Sequence, residues 1–267
     1  MQTDAVAIST PLADALEALR ARGLSLRRGT EPAAVATDRP PVSTGFPELD
    51  DALGTAGWPR GALAQLDAPI GGGATSLALS TVAAAQAGGG LAAWLDLEGT
   101  FDPAAAATLG VELDWLLVAR PRDAGEGIDL AAWLGRSGLI DALVLDLGER
   151  GVPDRRALDR LGALLARSGG TSALVVAPAA RSVVSAAASL RVALRREAWL
   201  TVGRDHVGQR VTATVERHRW ALAGGAATLD LWFGEGRRLD ALAPALAEPV
   251  LVETVEVARS ALRVVGA

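Results

Sequence analysis

Ala68-Pro69-Ile70-Gly71-Gly72-Gly73-Ala74-Thr75-Ser76 is the stretch on which the fold turns. Ahead of it, Ala62 to Leu66 is a short apolar run that reads as a strand. Behind it, Ala74 to Gln86 reads as a helix. A strand, a glycine-rich turn and a helix in this order describe a loop whose backbone N–H groups cradle phosphate at a helix N-terminus. The full pattern, GxxxxGK followed by Ser or Thr, needs a lysine after the last glycine. Thr75 supplies the hydroxyl, but Ala74 stands where the lysine belongs. The backbone N–H groups can still form an anion nest; the ammonium on the β- and γ-phosphates is gone. A glycine-rich connection in a chain with 30 glycines gives the same letters, so the flanking sequence has to decide.

Working outward, apolar strands alternate with helices: Leu91 to Leu95, Trp115 to Val118, Ala142 to Leu145 and Ser172 to Val176, with helices over Pro103 to Leu109, Gly127 to Gly135 and Arg155 to Arg167. Strands this apolar, separated by helices, predict a parallel sheet covered on both faces. After Ser185 the pattern changes. Leu190 to Leu194, Val211 to Val215 and Thr228 to Trp232 follow one another without long helices, which predicts an antiparallel extension of the sheet. Asp146 ends an apolar strand, where a Mg²⁺-coordinating acid would stand. Glu98 follows another, as a water-activating base or as an ordinary strand-end acid.

Toward the N-terminus, Pro11 to Arg22 reads as an amphipathic helix and Leu24-Ser25-Leu26 as a short strand. Leu16, Leu19, Leu24 and Leu26 give an apolar face too small to fold alone. It packs on its own core, on a second copy or on a partner. A Pro-, Thr- and Ala-rich linker over Thr30 to Pro41 separates it from the core. The expected organisation is residues 1–41 as helix, strand and linker, 42–238 as core and 239–267 as tail.

Composition narrows the chemistry. The 267-residue chain has a net charge of −5, against a broad basic surface for nucleic acid. It has no Cys, and all 26 of its basic residues are Arg. Cysteine nucleophiles, Cys-ligated zinc and Schiff-base lysines are therefore excluded. His206 and His218 are not spaced as a metal pair, so no metal site is expected. No apolar stretch approaches a membrane span and no signal peptide is evident, so a soluble cytoplasmic protein is expected.

The order of several segments resembles bacterial RecA. Ser43-Thr44-Gly45, Leu49-Asp50 and Ala52-Leu53-Gly54 resemble the lead-in to its phosphate loop. Asp96-Leu97-Glu98 with Phe101-Asp102-Pro103 resembles the strand bearing the catalytic glutamate and the start of the adenine site. Asp141 to Asp146 resembles the Walker B strand, Ala188-Ser189-Leu190-Arg191 the strand after the second DNA loop, and Gly234-Glu235-Gly236 the motif closing the last core strand. The resemblance implies an α/β fold of the RecA-like P-loop NTPase type: a mainly parallel twisted sheet, flanking helices and a C-terminal antiparallel extension. It also implies roles: Glu98 and Asp146 as vestigial catalytic acids, Gly71, Gly72, Gly73, Ala74 and Thr75 as a degenerate phosphate loop, and Asp102 and Ala105 as the vestigial adenine side. Arg217 and Arg219 match a basic pair that RecA directs at its neighbour's ATP; interface use and a solvated charge cluster are equally compatible with them.

The departures point further. The stacking aromatic falls at Ala105, the γ-phosphate sensor near Pro178-Ala179, and both DNA loops are short. A RecA core with these losses is similar to the ImuA family. That resemblance implies a non-catalytic adaptor in SOS-induced mutagenic translesion synthesis, with no nucleotide cofactor. Its partners would be ImuB, a Y-family polymerase homologue, together with RecA and an error-prone C-family polymerase; direct nucleic-acid binding would be weak or absent, and self-association is a further expectation. A residual ATP switch and a single-stranded-DNA-binding mediator are the alternatives. Of the seven tryptophans, Trp58 and Trp220 are weighed as interface anchors against simple packing.

Overall fold

Apolar residues at alternate positions on both faces make the central strands, and the structure bears this out. In the computed structural model the described residues are 39–149, 151–178 and 181–234, with the backbone of Val252–Glu253; all fall in one compact unit, Val35–Ala267. The elements run α1 (Pro47–Leu53), β1 (Leu63–Asp67), α2 (Ala74–Ala87), β2 (Leu91–Asp96), α3 (Pro103–Thr108), a 3₁₀ turn (Leu113–Trp115), β3 (Leu116–Ala119), α4 (Ala124–Ser137), β4 (Ile140–Asp146), α5 (Arg155–Ser168), β5 (Ser172–Val176), α6 (Arg181–Ala187), β6 (Leu190–Val202), β7 (Asp205–His218), β8 (Ala226–Trp232) and β9 (Val252–Glu253). The sheet order is β3-β2-β4-β5-β1-β6-β7-β8, with β9 on β6. Every pairing from β3 to β6 is parallel, and β6-β7-β8 is antiparallel. The expected architecture is therefore the observed one.

The strand alternation sorts side chains into two cores. Ala92, Trp94, Ala142, Val144, Leu174 and Val176 meet α1 and α2 on one face. Ala93, Leu95, Leu143, Leu145, Ala173 and Val175 meet α4 and α5 on the other. Burying such residues contributes roughly 1.5–3 kcal/mol each. In α5, Leu158, Leu161 and Leu165 recur at helical spacing, and Asp154 caps its start by accepting from Ala157 N. Trp58 is fully buried, with its ring N–H donating to Thr81 Oγ1 at 2.9 Å, so it is a packing residue. Trp220 is half-buried, edge-on to His218.

Boundaries moved where the pattern was short. The antiparallel strands are much longer than expected, 13 and 14 residues for β6 and β7, because half-exposed Thr and Arg positions interrupt their apolar runs. The N-terminal leucines Leu16, Leu19, Leu24 and Leu26, most of the linker, and the tail apart from β9 lie outside the described residues. No described helix is long and apolar enough to cross a membrane.

Candidate functional site

β1 ends at buried Asp67 and the chain turns at Pro69, where Gly72 N–H donates to Pro69 O at 2.8 Å. Gly71 and Gly73 have φ of +70° and +97°, a region that glycine enters without strain. Gly73 has a second reason to lack a Cβ: its α-carbon lies against the Leu231 methyl and the Gln209 amide. It is also the N-cap of α2, and the first N–H groups of that helix have no intrahelical acceptor. The loop thus has the shape of a phosphate cradle, with Ala74 almost wholly buried at the lysine position.

A cavity of about 460 Å³ opens above the loop. Its walls include Gly71, Gly72, Gly73, Ala74 and Thr75, then Glu98, Asp146 and Glu149, and on the far side Trp199, Gln209 and Phe233. The strand ends bring the acids together. Asp146 closes β4, and its Oδ1 accepts from Gly148 N at 3.2 Å. Glu98 accepts from Glu149 N at 2.8 Å and lies directly against the Gly148 α-carbon. Burial pushes the Asp146 carboxyl up to about 6, and the nearby Asp96 and Glu98 charges push the same way; the Gly148 N–H opposes them. Asp96 itself shapes the turn after β2, accepting from Thr100 N and Phe101 N.

The far wall comes from the antiparallel extension. Trp199 lies under the Arg196 guanidinium at 4.1 Å and meets Phe233 edge-on at 6.3 Å. Gln209 is 2% exposed, and its Oε1 has no hydrogen-bond partner. None of these three was singled out as a site residue from sequence. Their placement depends on the β6–β7–β8 register, and the sole sequence signal was Phe233 preceding Gly234-Glu235-Gly236.

Two pairs of the expected residues lie outside this cavity's lining. Asp102 and Ala105 do not line this cavity. Asp102 caps α3 instead, its Oδ1 accepting from Ala104 N and Ala105 N, which Pro103 at the first helical position favours. Arg217 and Arg219 are exposed at the end of β7, away from the cavity lining; Arg217 donates to Ser185 O at 3.2 Å. His218 between them is held neutral: burial lowers its pKa to about 4, and Nδ1 accepts from Trp220 N and Ala221 N. Among the described residues no group of three or more His, Asp or Glu side chains is arranged to hold a metal ion.

The raised Asp146 pKa gives a measurable consequence. Folded, this acid holds its proton up to about pH 6; unfolded, it releases it near 3.8. Stability therefore falls as pH rises between those values, by up to ~3 kcal/mol for about two pH units. Asp146→Asn keeps an oxygen for Gly148 N and removes the buried charge. Urea unfolding at pH 7.5 should show a gain of roughly 1–3 kcal/mol, with little difference at pH 4. A loss of stability at pH 7.5 would show that the carboxylate is compensated in the fold.

Comparison with known proteins agrees with this architecture. Residues 23–186 match the RecA N-terminal domain family. RecA of Rubrobacter xylanophilus is 31% identical over 229 residues, 73% of this chain and 66% of that protein. RecA of Corynebacterium efficiens is 31% identical over 80% of this chain and 64% of its own length; that of Thermus thermophilus is 32% identical over 82% and 74%. The chain thus spans about two thirds of the length of these relatives. A crystal structure of the RadB recombinase shares the fold, with a TM-score of 0.53 and 21% identity over 71% of this chain and 95% of that one. With more than half its length matched to that domain, and a RecA 32% identical over 82% of it, the chain belongs to the RecA family.

Proposed function

We propose that this RecA-family chain is a non-catalytic adaptor of the ImuA type, acting in damage-induced mutagenic translesion synthesis through contacts with an ImuB-like Y-family polymerase homologue. RecA itself and an error-prone C-family polymerase are the further partners of this reading. The carrying observation is the lining of the cavity. It keeps the glycine loop and the acids Glu98, Asp146 and Glu149, yet among the described residues no lysine or arginine lines it. The residues present do not fit a nucleoside triphosphate with its metal. Asp146 stands where it could hold the metal, but no side-chain cation lines the cavity to meet the β- and γ-phosphate charge as the missing lysine would. Losing a charge-assisted phosphate contact also removes the transition-state stabilisation on which phosphoryl transfer depends. Glu98 can activate water only over a bound triphosphate.

The intact N–H nest favours one other reading, a residual nucleotide switch. A single pair of measurements separates the two. Calorimetry of the purified chain with ATP and Mg²⁺ should give no saturable heat, while the cognate ImuB-like protein should be retained in a pull-down. Low-micromolar ATP binding would overturn the adaptor reading in favour of the switch.

A further inference from the structure

The cavity above the glycine loop is rich in hydrogen-bond acceptors. Glu98 stands just beyond β2, Asp146 at the end of β4, Glu149 in the turn after it and Gln209 on β7. Gln209 is the most informative of them. It is 2% exposed, and its Oε1 is buried without a donor. A buried acceptor left unpaired costs free energy that a bound N–H group would recover. Among the described residues no lysine or arginine belongs to the lining. Two arginines outside it have contacts of their own: Arg120 meets Asp96 at 3.5 Å, and Arg196 packs over Trp199. The wall also carries apolar surface. Ile70, in the glycine loop, is 72% exposed and Phe233 is 37% exposed.

We propose that this cavity receives an arginine side chain, flanked by apolar residues, from a partner polypeptide. The carboxyl groups of Glu98, Asp146 and Glu149 complement its charge. A guanidinium carries its N–H donors in a planar fork, so it can reach Gln209 Oε1 and a carboxylate oxygen together. Ile70 and Phe233 would cover the apolar neighbours of that arginine. The N–H groups of the glycine loop disfavour a bare cation and favour a peptide. They would take carbonyl oxygens of the segment that bears the arginine. This selects a polypeptide over a small amine. Ala74 is the departure that makes room. A lysine at that position would bring its own ammonium to the cavity, and alanine leaves the place to a cation from outside. The inference rests on the adaptor reading, because no triphosphate can fill the cavity if a partner does.

The test is fluorescence anisotropy of the full-length chain with a labelled, end-capped peptide carrying one arginine between two leucines. Binding should saturate, and the same peptide with glutamine for arginine should bind about tenfold more weakly or worse. Glu149→Gln and Gln209→Leu should each weaken binding of the arginine peptide by about three- to tenfold. Ala74→Lys, which supplies the cation from within, should abolish it. Asp159→Asn, an exposed acid on α5, should leave it unchanged. Thermal unfolding of each variant confirms that it is folded. The proposal is overturned if the glutamine peptide binds equally well, or if Glu149→Gln, Gln209→Leu and Ala74→Lys all leave the affinity unchanged. It is also overturned if the peptide binds only after Arg217→Gln with Arg219→Gln, or only after removal of residues 254–267. The occupant would then be a second copy or the chain's own end. Adding ATP and Mg²⁺ separates the two readings. Low-micromolar ATP that displaces the peptide defeats both, whereas binding of neither ligand defeats this inference alone.

Discussion

Asp141→Ala should lower the unfolding free energy by about 3–5 kcal/mol, read as a shift in the urea midpoint with unchanged slope. Asp141 lies near the start of β4, 4% exposed, and gathers three donors from distant segments. Its Oδ1 accepts from Arg60 at 2.6 Å and Arg39 at 2.8 Å; its Oδ2 accepts from Leu91 N at 3.2 Å. The Arg60 side chain is 8% exposed and also donates to Pro40 O and Gly170 O, both at 2.6 Å. Without the carboxylate that guanidinium stays buried with no counter-charge. Arg39→Ala, on a half-exposed side chain, should cost less than about 1 kcal/mol. An equal loss for the two variants would mean that burial is not what makes the pair matter.

Trp58→Ala should be comparably severe, about 3–5 kcal/mol. The ring is 0% exposed, joins the core with Leu49, Leu53 and Leu77, and donates to Thr81 Oγ1. Its backbone exchanges both hydrogen bonds with Val42, so the side chain fastens the start of the core to α2. Trp58→Phe fills most of the volume and leaves Thr81 Oγ1 without its donor, so a loss of roughly 1–2 kcal/mol is expected. Thermal unfolding of the two variants side by side separates packing from the hydrogen bond. Equal melting temperatures would show that the space around Trp58 collapses on substitution.

The parallel half of the sheet was legible because its strands are buried on both faces and written as unbroken apolar runs such as Ala142 to Leu145. The loop was legible because glycine at positions 71 and 73 answers a backbone requirement. Glu98 and Asp146 were legible because strand ends converge at one edge of a parallel sheet. What could not be read was anything set by register over long separations. Gln209 and Trp199 reach the cavity only because β7 pairs with β6 along their whole lengths. Arg60 and Asp141 are 81 positions apart, and nothing local in either segment marks them as a pair. Asp102 has a role that is local instead: an Asp before Pro at a helix start caps the helix.

β1, the strand that leads into the glycine loop, lies at the centre of the sheet between β5 and β6. Its first partners are Ala173 and Leu190, both far along the chain from Leu63 and Ala64. On the ribosome β1 therefore emerges long before either flank exists, an apolar strand with two open edges. Closing loops of that length comes at an entropic cost before any pairing offsets it, and such topologies fold slowly. The β2–β3 and β4–β5 pairings can form earlier, whereas the glycine loop cannot take its final shape until β7 and β8 arrive to pack Gln209 and Leu231 beneath Gly73. The cavity is consequently the last part of the described core to assemble, and a chain interrupted before β6 would carry the loop sequence without its site.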